Sequence, residues 1–291
     1  MHLQKNVRPK VDIIKNGNHR VEPGESEEEA METLMDESSK EQGNTGGPSV
    51  VCLTVPPVNG EGYRVLYDSG VEEDRDQILK SFKGLEYSPE DIDYVFASHT
   101  HYDHIDNNDM FEQATWYFPF NDEELYNNFN GEGIISDFYE GLKERGITYD
   151  KFDRFEPGGL QELNFPHYVK VMDTDGHQKG HYSLIIDKSG EHKPEVRNAE
   201  TRDLHIPERA ILTGDAIIGG DYAEEFLEGN YENAKYPAST YEGKERIIQD
   251  GKEIGSVARL LEAAEEKEET LIVPGHDPEF YLEDLENYKN N

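Results

Sequence analysis

His99-Thr100-His101-Tyr102-Asp103-His104 is the stretch on which the reading of this chain turns. Three imidazoles and a carboxylate fall within six residues, directly after the apolar run 92–97. A strand-like run followed by such a loop sets metal-capable donors at a strand end, where a rigid scaffold can hold them. Imidazole and carboxylate together suit zinc, manganese or iron, and one loop presenting four such groups can serve two adjacent ions. A solvated polar turn rarely carries this set at this spacing.

The flanking sequence has the pattern of an α/β protein. Short apolar runs predict strands at 11–14, 50–55, 63–67, 115–118, 168–172, 182–186, 210–212 and 270–273. Asn59-Gly60 marks a hairpin turn between the second and third of these. Helices are expected at 75–83, stopped by Gly84, at 107–114, across 122–146 and across 241–267. In the last, Ile247, Ile254 and Leu261 recur every seven residues with Val257 and Leu260 beside them, an amphipathic helix for packing on a sheet. Residues 188–205 are charged and contain proline, which predicts an exposed loop.

An acidic insertion occupies about 22–47, between Pro23-Gly24 and Gly46-Gly47-Pro48. Ser26 and Glu29 would form a capping box for a helix over 27–40. A lid, a dimer element and a solvated loop are all open readings of it. With no repeat and no linker between two cores, residues 1–291 are expected to form one domain that carries this insertion.

The 63 acidic residues against 28 basic ones give a net charge of -35. Such a surface disfavours nucleic acid and anionic membranes as partners. The acidic residues run the length of the chain, which favours a halophile-type surface over a steering field for cationic ligands. Folding that fails at low salt and returns in potassium chloride would support that reading. Cys52 is the sole cysteine, so a disulfide within the chain and a thiolate cluster are excluded; it is expected in the core. No run approaches the roughly 18 apolar residues of a membrane span, and the expected location is the cytoplasm.

Four further candidates lie just past predicted strands: Asp68, His177, Asp215 and His276. The blocks Leu66-Tyr67-Asp68-Ser69-Gly70, His-x-His-x-Asp-His, Asp175-Gly176-His177, Thr213-Gly214-Asp215 and Pro274-Gly275-His276 stand in an order that resembles the metallo-β-lactamase fold superfamily. The resemblance spans about residues 50–280. It implies an αβ/βα sandwich, two mixed sheets flanked by helices, with a two-metal site at the rim.

Carried over position by position, the resemblance assigns His99, His101 and His177 to a first metal ion. Asp103, His104 and His276 go to a second, Asp215 bridges both, and Asp68 orients the loop without binding metal. The implied cofactor is a pair of divalent ions, zinc first, with manganese or iron as alternatives. Two such ions bridge a water and lower its pKa towards about 7, and Asp103 could move a proton to the leaving group. Asp103 and Asp215 are thus the expected catalytic carboxylates. Tyr222 and His181 are candidate substrate contacts, although a structural role is favoured for His181. Tyr102 is expected to pack, and His2, His19, His167, His192 and His205 to lie on the surface.

The same resemblance narrows the chemistry. With 15 residues after His276, a helical substrate domain of the glyoxalase II type is not expected. The 61 positions from Asp215 to His276 are too few for a β-CASP insert. His101 stands where flavodiiron proteins have glutamate. Acyl-homoserine lactonase-like hydrolases and metallo-β-lactamase domain-containing protein 1, a group associated with RNA cleavage, remain the nearest subgroups. A nuclease should have a basic groove, whereas Asp106, Asp109, Asp221, Glu224 and Glu225 crowd near the proposed ligands. The expectation is a hydrolase of a small ester, lactone or thioester. A metal-dependent nuclease is the alternative, with an iron-dependent sulfur dioxygenase behind it. A homodimer, through 122–146 or the insertion, is the default assembly.

Overall fold

Strands whose every residue is buried have both faces covered, and two strands near the C-terminal end are of this kind: Arg209–Gly214 and Thr270–Pro274. The computed structural model describes residues 8–18, 47–56, 62–99, 101–118, 152–154, 165–177, 181–230 and 250–285. Among them lie β1 (Lys10–Lys15), β2 (Val50–Val55), β3 (Tyr63–Tyr67), α1 (Arg75–Gly84), β4 (Tyr94–Phe96), α2 (Tyr102–Ile105), β5 (Thr115–Phe118) and β6 (Phe152–Arg154). There follow β7 (Val169–Asp173), β8 (Tyr182–Asp187), β9 (Glu195–Asn198), β10 (Leu204–His205) and β11 (Arg209–Gly214). The last are α3 (Gly220–Leu227), α4 (Asp250–Glu265), β12 (Thr270–Pro274) and β13 (Phe280–Tyr281).

Two mixed sheets result, ordered β10-β9-β1-β2-β3-β4-β5-β6 and β13-β12-β11-β8-β7. Period-two alternation divides their side chains between layers. Val51, Leu53 and Val55 face the second sheet, where Leu184, Ile186, Leu212 and Val273 meet them. Val50 and Cys52 point the other way, against Ile78 and Phe82 of α1. Ile185, Ile211 and Ile272 cover the outer face of the second sheet, against Val257, Leu260, Leu261 and Ala264 of α4. The layers are helix, sheet, sheet, helix. Cys52 is fully buried, as expected of a small apolar residue. Each buried aliphatic or aromatic side chain contributes about 1.5–3 kcal/mol, so truncating Phe82 would weaken the docking of α1.

Strand direction positions the site. β3 and β4 run parallel, as do β11 and β12. β7 pairs antiparallel with β8, and β8 antiparallel with β11, so β7 points the same way as β11. Asp68, His99, His177, Asp215 and His276 therefore all follow the C-terminal ends of strands that run together within their sheet. Cross-sheet hydrogen bonds tie that rim: Tyr182 N–H to Ser98 O at 2.9 Å, and Tyr67 O–H to Tyr182 O at 2.9 Å.

The structure departs from the sequence expectations in several elements. The helix expected at 107–114 begins earlier, as α2 within the histidine motif, and continues as a 3-10 turn over Asp106–Phe111. His101 is its N-cap, so the motif starts the helix. The expected loop 188–205 contains β9, parallel to β1, and β10. Its single inward aliphatic, Val196, gives too little alternation to see, because the buried Asn198 is satisfied by Asn16 and Glu279. α3 was not expected; the first N–H of that helix, Gly220, donates to Asp277 Oδ2 at 3.1 Å, a partner 57 residues away. β6 and β13 were also missed, and β4 is shorter than 92–97.

The Asn59-Gly60 turn, the 22–47 insertion apart from Gly47, residues 122–146 and the start of the 241–267 helix lie outside the described residues. So do His2 and His19, as does the side chain of Tyr102. No helix among the described residues is long and apolar enough to cross a membrane.

Candidate metal centre

Asp68 follows β3 with φ at 59°, left-handed backbone that aspartate tolerates better than most residues. That turn aims its carboxylate back across the end of β4. Oδ1 accepts the Ser98 N–H at 2.6 Å, and Oδ2 accepts the Ser98 hydroxyl and the His104 Nδ1–H, each at 2.8 Å. The histidine motif is clasped from below as well. Ser69 N–H donates to His104 O at 2.8 Å, and the Asn107 amide donates to the carbonyls of Ser69 and Val71.

The other ligand candidates arrive from the second sheet. Ser256 of α4 donates its hydroxyl to Asp175 O at 2.7 Å and so braces the turn before His177. Gly214, at φ 51°, turns the chain so that Asp215 faces inward. A Cβ at Gly275 would meet the Asp215 carboxylate and, at 2.9 Å, the backbone carbonyl of Gly214; only glycine lets the His276 loop approach this closely. His276 N–H then donates to Ile218 O at 2.8 Å.

Two clusters form around Asp215, one with His99, His101 and His177, the other with Asp103, His104 and His276. In the first, His101 Nδ1 lies 2.9 Å from His99 Nε2 and 3.0 Å from His177 Nε2. Asp215 Oδ2 lies 3.3 Å from His177 Nε2 and 3.7 Å from His99 Nε2. In the second, Asp215 Oδ1 lies 3.0 Å from His104 Nε2 and 3.2 Å from His276 Nε2, with Asp103 Oδ2 at 3.5 and 3.3 Å from the same two atoms. Four tetrahedral donors each about 2.0–2.1 Å from a zinc ion stand about 3.3 Å from one another. Both clusters match that spacing. His104 Nε2 and Asp215 Oδ1 are buried without a hydrogen bond, an arrangement that proteins avoid unless another group satisfies the atoms. The donor sets fit a metal ion on each side of Asp215.

Their electrostatics differ. Burial, reinforced by His104 and His101, holds His99 well below the usual imidazole range. Burial does the same to His177 against the pull of Asp215, and lowers His101 against Asp103 and Asp215. In the second cluster burial acts to lower His104, but Asp215, Asp103 and Asp68 push it well above its ordinary value. Asp215 and Asp103 likewise overcome burial to raise His276 to about 9. Burial would raise Asp103, yet His104 and His276 draw it down to about 2. Asp215 lies well below the carboxylate range, because His104, His276 and His177 outweigh its burial.

All eight residues singled out from the motifs thus meet at one place. His181 lies behind them, fully buried, its ring 4.9 Å from that of His99 and its Nδ1 2.7 Å from Thr174 Oγ1. Tyr222 is buried on α3. His167 is exposed and His192 half-buried. His205, expected as a lone surface residue, is half-buried and paired with Glu279 at 3.2 Å. Of the acidic groups near the motif, Asp109 pairs with Arg75 and Asp106 accepts the Glu72 N–H. Sequence reasoning missed Ser98 and Thr174, hydroxyls next to ligand-bearing turns whose partners are visible only in three dimensions.

The Metallo-beta-lactamase superfamily model matches residues 45–190, half of the sequence. The chain belongs to this superfamily. The match contains Asp68, the histidine motif and His177, whereas Asp215 and His276 lie beyond it and are brought in by the fold. A probable metallo-hydrolase of Methanocaldococcus jannaschii is 41% identical over 121 residues, covering 42% of this chain and 45% of that protein. An N-acyl homoserine lactonase of Rhizobium radiobacter is 28% identical over 240 residues, 80% of this chain and 76% of its own length. Among solved structures, a candidate metallo-beta-lactamase of Thermotoga maritima superposes with a TM-score of 0.60 at 20% identity, over 94% of this chain and all of the other. That likeness is one of fold.

Proposed function

We propose that this superfamily member is a two-metal hydrolase of a small ester, lactone or thioester. The observation that carries the proposal is the Asp215 carboxylate, which turns Oδ2 to one histidine cluster and Oδ1 to the other. In this reading His99, His101 and His177 hold one divalent ion, and Asp103, His104 and His276 hold a second. Asp215 would be the ligand common to both, while Asp68 would orient ligands without binding metal. A bound pair of ions, zinc foremost, with manganese or iron as alternatives, supplies Lewis acidity and water acidified towards a pKa of about 7.

The chain does the rest. His101 and Asp103 are the ligand side chains with the most solvent access, so substrate approaches from their side. Asp103, 23% exposed and ionised, is placed to take a proton and release it to the leaving oxygen or sulfur. Tyr222, buried on α3, is a candidate substrate contact through its hydroxyl. The burial of His181 supports a bracing role over substrate contact. The lactonase relative favours lactones within the substrate class. A single domain, a homodimer, a high-salt surface and a cytoplasmic location complete the proposal.

Metal analysis of the purified protein should return two ions per chain. A panel of N-acyl lactones, thioesters, β-lactams and labelled RNA, assayed at high salt, should show turnover of a lactone, ester or thioester. RNA cleavage without lactone turnover would replace this reading with a nuclease, and one iron per chain with thiol oxidation would replace it with a dioxygenase.

A further inference from the structure

Resting on the two-metal reading, we propose that Ser98 is a positioning residue that relays the Asp68 carboxylate to His99, so that one buried anion orients an imidazole in each cluster. Ser98 is fully buried between β4 and the histidine motif. Its hydroxyl donates to Asp68 Oδ2 at 2.8 Å and lies 2.9 Å from His99 Nδ1. A hydroxyl has one hydrogen. Once that hydrogen is given to the carboxylate, Oγ can only accept, and His99 must carry its proton on Nδ1. The lone pair of His99 is thereby placed on Nε2, the nitrogen that faces His101 and Asp215.

His104 is set by the same anion without an intermediary. Its Nδ1 is 2.8 Å from Asp68 Oδ2 and 3.4 Å from Ser98 Oγ, so that nitrogen gives its hydrogen to the carboxylate, and Nε2, which faces Asp215 and Asp103, is left for a cation. The two clusters therefore depend on Asp68 unequally: the second directly, the first through one hydroxyl. Removing that hydroxyl strands the Nδ1–H of His99 in a buried site and lets the ring turn or change tautomer.

The test measures zinc affinity, by chelator competition, in two backgrounds that each keep one cluster: His276→Asn for the first and His101→Asn for the second. Ser98→Ala should weaken zinc about 10–100-fold in the first background, the usual cost of losing a group that orients a ligand, and leave the second within about 3-fold. Equal losses in both would reduce Ser98 to a general brace, and no loss in the first would remove the relay; either result overturns the proposal. A second measurement needs no variant. In the zinc-loaded wild type, nitrogen-15 spectra should show His99 protonated at Nδ1 with a slowly exchanging hydrogen, and a His99 lacking that hydrogen would overturn the relay. A wild type that binds fewer than two ions would instead sink the two-metal reading.

Discussion

The two clusters share a carboxylate and are built on opposite electrostatic plans. Around His99, His101 and His177, burial keeps the imidazoles neutral, so their lone pairs are ready for a cation. Around Asp103, His104 and His276, three carboxylates gather positive charge, and protons hold the place that a cation would take. The first cluster is a set of neutral donors waiting for charge; the second is an ion cluster in which metal must displace protons. Acidity supplied locally by Asp103 and Asp68 makes the difference, since both clusters are equally deep and both touch Asp215.

The largest effect is expected from removing what the clusters share. Asp215→Ala should lose both ions and lower turnover on the order of 10³-fold or more, because each cluster loses a ligand and the charge between the ions goes unbalanced. Metal analysis and kcat on the best substrate check this, and retention of two ions would refute a shared ligand.

Proton linkage in the metal-free protein tests the contrast itself. The raised His104 and His276 contribute stability that is complete below about pH 6.5 and is lost as pH rises through about 9. The depressed His99, His101 and His177 contribute stability that is complete above about pH 6.5 and is lost as pH falls. The metal-free protein should therefore be most stable near pH 6.5 and weaken on both sides. His276 alone, moved from about 6.5 to about 9, corresponds to roughly 3 kcal/mol on the alkaline side. Bound ions replace those protons, so the alkaline decline should vanish in the loaded protein. Calorimetry from pH 5 to 9.5 on both forms reads this, and a flat metal-free profile between pH 6.5 and 9 would contradict it.

A narrower cut leaves the first cluster whole. Asp103→Asn should retain one ion, release the other, bring the His276 pKa down and lower kcat about 10²-fold through loss of a ligand and a proton carrier. The smallest effect is expected outside both clusters. Tyr222→Phe should keep two ions and raise KM or lower kcat by about 2–10-fold, the worth of one hydrogen bond. Unchanged kinetics would make Tyr222 a core residue of α3.

Most of the sheet framework could be read in the sequence because its strands are short runs rich in β-branched, aliphatic and aromatic residues. Of these, 50–55, 63–67 and 115–118 match the structure at both ends. β9 escaped because most of it is polar: the buried Asn198 is satisfied by Asn16 and Glu279, and the exposed Arg197 pairs with Asp12, all residues far away in sequence. α3 escaped because Asp277 caps it from another loop. The ligand candidates were legible because each needs a particular donor just past a strand. What orients them was only half legible. Asp68 has a motif, whereas Ser98 is an ordinary serine until its hydroxyl is seen between a carboxylate and an imidazole.

Anomalous scattering from crystals grown with zinc shows whether Asp215 joins two metal sites. Two peaks about 3.5–4 Å apart are expected, one beside Asp215 Oδ2 among His99, His101 and His177, the other beside Oδ1 among Asp103, His104 and His276. A single peak, or none between well-ordered side chains, would contradict that arrangement.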